Sequence, residues 1–268
     1  MKERYISMSY FNGQTGYRKA LLTSRADVRK FNFVVLDPDG LVKNVVPGYE
    51  NCDVTILGSP AMGATFVDYL VTAHKDAKNT GIGGDGIESF LYVIDGELTV
   101  KNADEEVDLT SGGYFYSTAD KPMTFVNKSG KDTKAYVYKR RYEPLEGYSA
   151  HTVTGNINKV EYMDYEGMTN CQSKDFLPAA NDLGFDMNMH ILRFAPGASH
   201  GYIEHHVQQH GMLFLQGKGM YYLDNEWMPL EKGDYVFMDS YVPQACYAVG
   251  DEDYIYIYSK DCNRDIQL

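Results

Sequence analysis

Shifting this sequence by 121 residues lays it over itself. Gly96 falls on Gly217, Gly112 on Gly233, Pro122 on Pro243 and Lys139 on Lys260. Apolar segments surround these landmarks in matching pairs: FLYVIDG at 90–96 with MLFLQG at 212–217, GGYFY at 112–116 with GDYVF at 233–237, and AYVYK at 135–139 with YIYSK at 256–260. One coincident glycine would be chance, but four landmarks at a single offset argue for duplication. The period is far too long for a solenoid, so each copy is a domain.

Each copy is built from short apolar runs closed by turn glycines, the pattern of an antiparallel sandwich or barrel. Twenty-three tyrosines and twelve phenylalanines suit short strands better than long helices, and the chain reads as all-β. The expected division is 1–145 and 146–268. Polar and Gly-rich stretches between 143 and 178 serve partly as connector, and a strand at 159–162 opens the second half. Helix is expected only at 18–29 and around 173–183.

The bulk numbers exclude several partners. A net charge of −12 removes the basic surface that nucleic acid or an anionic membrane requires. No apolar run approaches the roughly 20 residues needed to span a bilayer, and no apolar signal segment opens the sequence, so a cytoplasmic protein is expected. The four cysteines, Cys52, Cys171, Cys246 and Cys262, are far apart and form no C-x-x-C pair. Buried free thiols are therefore expected, not a zinc ribbon or a disulfide framework.

Chemistry concentrates in one place. Four of the seven histidines fall within 199–211, SHGYIEHHVQQHG. On a strand, side chains alternate between faces, so Glu204 and His206 point one way and His205 the other. His210 lies beyond a turn and can return to the face of His206. One carboxylate and two imidazoles meeting at a point are metal-ligand chemistry, whereas a solvated polar strand with a few surface histidines is the plain alternative.

The flanking spacing resembles that of the jelly-roll cupins. Their first motif runs His-x-His, Glu, Gly; here Glu204-x-His206, three residues, His210, six residues and Gly217 keep the spacing with Glu and His exchanged. Eleven positions after Gly233, the slot of the cupins' last histidine holds Gln244. That altered set resembles the (S)-ureidoglycine aminohydrolase family, manganese-dependent bicupins of allantoin and purine-ring catabolism. The resemblance extends to LVKNVVPGYENC at 41–52, GFDMNMH at 184–190 and YSKDCNR at 258–264.

The resemblance implies two tandem jelly-roll cupin barrels, with one Mn2+ per chain on Glu204, His206, His210 and Gln244 of the second. It implies substrate contacts at Glu204, Gln244, Tyr256 and Lys260, and hydrolysis of ureidoglycine to ureidoglycolate and ammonia by a homo-oligomer. Lys260 would hold the carboxylate of the small ureido substrate and Glu204 would manage a proton; these two are the catalytic candidates. Tyr256 alternates in phase with Lys260. His200 and His205 lie off the alternation of the ligands. In the first copy Asp85 stands at the place of His206, Ser89 at that of His210 and Met123 at that of Gln244, so that half reads as metal-free and structural. Glu88 is one residue out of register and should face away from its barrel. Two other functions remain open from the residues: a cupin dioxygenase or decarboxylase, and a non-catalytic binding module.

Overall fold

In a computed structural model, residues 24–266 are described. They form twenty strands and two single turns of 3-10 helix, with no α-helix among the described residues. The strands make two antiparallel barrels of jelly-roll type, one from each copy of the repeat.

In the second half an eight-stranded sheet carries, in spatial order, Asp27–Arg29, Phe33–Leu36, Tyr235–Met238, His210–Gln216, Tyr254–Lys260, Asn188–Phe194, Cys171–Asp175 and Met163–Asp164. A three-stranded sheet of Glu226–Glu231, Lys218–Leu223 and Gln244–Val249 closes the same barrel. The remaining strands of the first half, together with Val153–Asn156, form one nine-stranded sheet. There the fourteen-residue strand Phe66–Asn79 pairs with Thr133–Arg141 along most of its length and reaches Thr124–Val126 at its end. The turn glycines of the repeat behave alike: Gly96 and Gly217 have φ of 95° and 74°, a region open to glycine at little cost.

The division at 145/146 is crossed in both directions. Phe33–Leu36, from the first half, pairs with Tyr235–Met238 in the second barrel. Val153–Asn156, from the second, pairs with Gly113–Ser117 in the first. Each barrel thus ends on a strand lent by the other.

Alternation along these strands separates three cores. On Tyr254–Lys260, Tyr254, Tyr256 and Tyr258 fill the second barrel, while Ile257 and the partly buried Ile255 face the first half. On Thr133–Arg141, Ala135 and Val137 fill the first barrel and Tyr136 and Tyr138 face the second. The seam is therefore a third core, in which Phe66, Phe90, Tyr138, Phe185, Tyr235 and Phe237 are all essentially inaccessible. Burying each such ring contributes about 1.5–3 kcal/mol. Gly211 sits at the tightest point of this seam. A Cβ there would lie 2.2 Å from Asp68 Oδ2 and 2.7 Å from the Tyr235 hydroxyl, so only glycine lets the strand pass.

Three local expectations are corrected. Of the proposed helix at 18–29, residues 18–23 lie outside the described residues, and Asp27–Arg29 is a strand because its backbone groups pair with Phe33–Val35. Around 173–183 there is a strand, Cys171–Asp175, followed by turns. The strand expected at 159–162 is replaced by the 3-10 turn Ile157–Lys159, whose entry Asn156 accepts a hydrogen bond from the Asn158 backbone. In each case pairing or capping outweighs a weak local propensity. All four cysteines are free, Cys171 and Cys246 fully buried.

Candidate metal centre

The second barrel narrows around a cavity of about 50 Å³, lined by Tyr165, Leu192, Glu204, His206, His210, Met212, Tyr221, Gln244, Tyr256, Tyr258 and Lys260. All six residues singled out from the sequence lie on its wall. The fold places them by alternation: His210 is in phase with Met212 and Phe214 on one strand, and Lys260 with Tyr256 and Tyr258 on the neighbouring one. Glu204 and Gln244 are a cross-strand pair, each backbone N–H donating to the other's carbonyl at 2.9 Å.

His210 is buried, and its Nδ1 lies 2.6 Å from the Ser259 carbonyl. A carbonyl only accepts, so Nδ1 carries the proton and the Nε2 lone pair faces the cavity. That Nε2 is 3.2 Å from His206 Nε2, which is in turn 2.9 Å from Gln244 Nε2. Gln244 Oε1 accepts from the Tyr221 hydroxyl at 2.8 Å. His206 Nδ1 is buried without a partner. The Glu204 carboxylate reaches toward the Tyr165 hydroxyl, 3.5 Å away, and not toward the imidazoles. Among the described residues no three His, Cys, Asp or Glu side chains meet in a group that would hold a metal unaided.

Burial dominates the electrostatics. It holds the His210 imidazole well below its ordinary range, with His206 adding to the effect. Burial also lowers His206, followed by the Lys260 charge. Both rings are thus neutral near pH 7, the form in which imidazole donates a lone pair. Glu204 is raised, first by burial and then by the charge of Glu166, while Tyr165 and Lys260 work the other way.

His205 is exposed. His200 packs against Tyr165 and Phe194, with ring centroids 6.0 and 5.1 Å away, and burial pushes it down to about 4. Several wall residues escaped the sequence reading. Tyr258 and Met212 had a signal, since they alternate in phase with Lys260 and His210. Tyr165 and Tyr221 had none: Tyr165 comes from a segment outside the repeat, and Tyr221 from a strand with no chemistry of its own.

Comparison with known proteins fixes the relationships. A cupin-domain family model matches residues 190–259. The (S)-ureidoglycine aminohydrolase of Escherichia coli strain K12 is 56% identical over 263 residues, covering 97% of this chain and 100% of that protein. The Arabidopsis thaliana enzyme of the same name is 30% identical over 241 residues, covering 89% of this chain and 78% of that protein. The crystal structure of protein Ylba from E. coli superposes with a TM-score of 0.84 at 54% identity, covering 94% of this chain and all of that one. The chain therefore belongs to the (S)-ureidoglycine aminohydrolase family, and its all-β architecture of two cupin barrels is the fold of that family.

Proposed function

We propose that this chain hydrolyses (S)-ureidoglycine to (S)-ureidoglycolate and ammonia in allantoin catabolism, using one Mn2+ held by Glu204, His206, His210 and Gln244. The observation that carries the metal site is the pair of neutral imidazoles, His210 buried and His206 half-buried, with Nε2 atoms 3.2 Å apart. With its proton on Nδ1, a group left without a partner, His206 turns its Nε2 lone pair toward that of His210. A divalent cation removes the conflict by accepting both lone pairs. The two ends of the Gln244 amide are equal in size, so its oxygen can turn inward while its nitrogen donates to the Tyr221 hydroxyl. Glu204 would turn its carboxylate from Tyr165 to join them. Imidazole, amide oxygen and carboxylate together suit manganese and similar ions, and no thiolate lines the cavity.

When bound, the ion supplies Lewis-acid polarisation and orientation of the substrate. The side chains supply the rest. Lys260 binds the substrate carboxylate and, with Tyr256, fixes which face of the central carbon is presented. Glu204, raised by burial, takes a proton from the incoming water and returns one to the departing amine. Water's oxygen forms the new bond to the central carbon, the C–N bond to the amino group breaks, and ammonia leaves with the proton. The tyrosine-lined wall keeps bulk water from the reacting carbon.

The same reading assigns catalysis to residues 146–268 and a metal-free supporting role to 1–145. It includes a cytoplasmic location and a homo-oligomeric assembly, which fractionation and sedimentation would check. Among the described residues no helix is long and apolar enough to cross a membrane. The direct test is ammonia release from freshly generated ureidoglycine, measured against spontaneous decay, with Mn2+-loaded and chelated protein. Ammonia at the background rate with loaded protein, or oxygen uptake in its place, overturns the proposal.

A further inference from the structure

His210 pairs with Met238 and Lys260 with Asn188, but the ladder between their own two strands stops short of them. Pairing between His210–Gln216 and Tyr254–Lys260 runs in register from Met212 opposite Tyr258. Beyond it the strands are joined through side chains: Gly211 N–H donates to the Ser259 hydroxyl, and Gln209 N–H to Asp261 Oδ1 at 2.8 Å. Gln209 precedes His210 and Asp261 follows Lys260, so these bonds set the distance between an imidazole and an ammonium of the site.

The Gln209 side chain is buried and every polar atom of its amide is used. Its Oε1 accepts from the Thr65 backbone N–H at 2.8 Å. Its Nε2 donates to the Gly63 carbonyl at 3.0 Å and to Asp239 Oδ1 at 2.6 Å. The Thr65 hydroxyl has one proton. It lies 2.9 Å from Gln209 Oε1 and 2.8 Å from Asp261 Oδ2, and the carboxylate is the stronger acceptor. Asp239 heads the loop that holds the other imidazole: Ser240 donates to the Val207 carbonyl at 2.6 Å and Tyr241 N–H to the His206 carbonyl at 2.7 Å. One amide thus ties together the segments carrying His206, His210 and Lys260, and anchors all three to a loop of the metal-free half.

We propose that Gln209 is a positioning residue for the metal centre, through which the Gly63–Thr65 loop of the first half sets the spacing of His206, His210 and Lys260. The inference rests on the ligand assignment made above. It also requires an amide at 209, since a carboxylate there would face the Gly63 carbonyl and the Asp239 carboxylate.

The test uses the full-length chain and three readouts: Mn2+ affinity of the apo-protein by calorimetry, kcat and KM for ammonia release, and Tm. Removing a group that orients a metal ligand typically costs 10–100-fold in affinity or activity. Gln209→Leu and Gln209→Glu are expected to weaken Mn2+ binding by about that factor and to lower kcat/KM in parallel. Thr65→Val should act in the same direction, and Thr65→Ser, which keeps both donors, should restore wild-type values. Tyr235→Phe is the control. It loses a seam hydrogen bond to Asp68, and should lower Tm while leaving Mn2+ affinity unchanged. The inference is overturned if Gln209→Leu and Thr65→Val keep Mn2+ affinity and kcat/KM within twofold of wild type, or if Tyr235→Phe weakens Mn2+ binding in proportion to its Tm. Should Gln209→Leu not fold, the Thr65 pair decides. A wild-type chain that neither binds Mn2+ nor releases ammonia sinks the underlying assignment; variants indistinguishable from an active wild type sink only the role of Gln209.

Discussion

Across the second barrel Glu204 faces Gln244, and at the same point of the first barrel Ile82 faces Met123. The backbones are interchangeable: the paired N–H to carbonyl distances are 2.9 and 2.9 Å in one, 2.8 and 2.9 Å in the other. The side chains are opposites. Ile82 and Met123 are almost wholly buried and close their barrel with apolar contacts. Ser89, in the place of His210, spends its hydroxyl on the Ile82 carbonyl. The lesson is that the jelly roll does not make the site. A polar lining distinguishes the second barrel, while the first keeps the frame and fills the same point with apolar side chains.

The comparison breaks most sharply at the imidazoles. His206→Ala or His210→Ala should abolish stoichiometric Mn2+ and reduce kcat/KM by about 1000-fold or more, on the scale expected when metal-assisted activation is lost. Asp85→Ala and Ser89→Ala should leave ammonia release within about twofold of wild type, as substitutions far from the chemistry. Retained turnover in the histidine variants would erase the distinction between the halves.

The seam offers the next largest effect. Asp68 is inaccessible, takes a hydrogen bond from Tyr235 at 2.5 Å, and burial pushes its carboxyl up to about 7. Its counterpart in the second half is the apolar Met189, also buried. A raised pKa means the folded state holds the proton more tightly. That stabilisation is complete below about pH 4 and is lost as pH rises through about 7, an effect of up to about 4 kcal/mol. Asp68→Asn should flatten this part of the stability–pH curve measured by denaturant unfolding; an unchanged slope would refute the assignment.

Exchanging the facing residues sharpens the contrast further. Met123→Gln puts an amide into an apolar cluster, and should cost about 1–3 kcal/mol in denaturant unfolding without creating Mn2+ binding. A smaller difference separates the two lysines. Lys260→Ala should raise KM about tenfold with little change in Tm, as loss of a charged contact to the substrate. Lys139 lies 5.0 Å over the Tyr69 ring, so Lys139→Ala should leave KM alone and cost about 0.5–1 kcal/mol.

Much of this was legible in the sequence because the repeat and the period-two alternation both survive in it. Lys260 on the cavity wall follows from counting twos from Tyr256, and Glu88 does face the seam, where Tyr116 donates to it at 2.5 Å. The single offset failed at one point. Six residues separate Ile82 from Ser89 and five separate Glu204 from His210. The partner of Glu204 is therefore Ile82 and not Gly83, and Asp85 sits in a glycine-rich turn at φ 54° instead of opposite His206. Loop length is set by turn geometry that no side-chain pattern encodes. Gln209, Thr65 and Asp239 were invisible for a related reason: their bonds join segments far apart in the chain.

The strand Phe33–Leu36 finds its partner, Tyr235–Met238, only after about 200 further residues have been made. At the usual 5–20 residues per second, an apolar strand spends about 10–40 seconds on the ribosome with one edge open. Closing so wide a loop is slow by contact order alone. The second barrel thus matures late, one of its first-made strands waiting on one of its last.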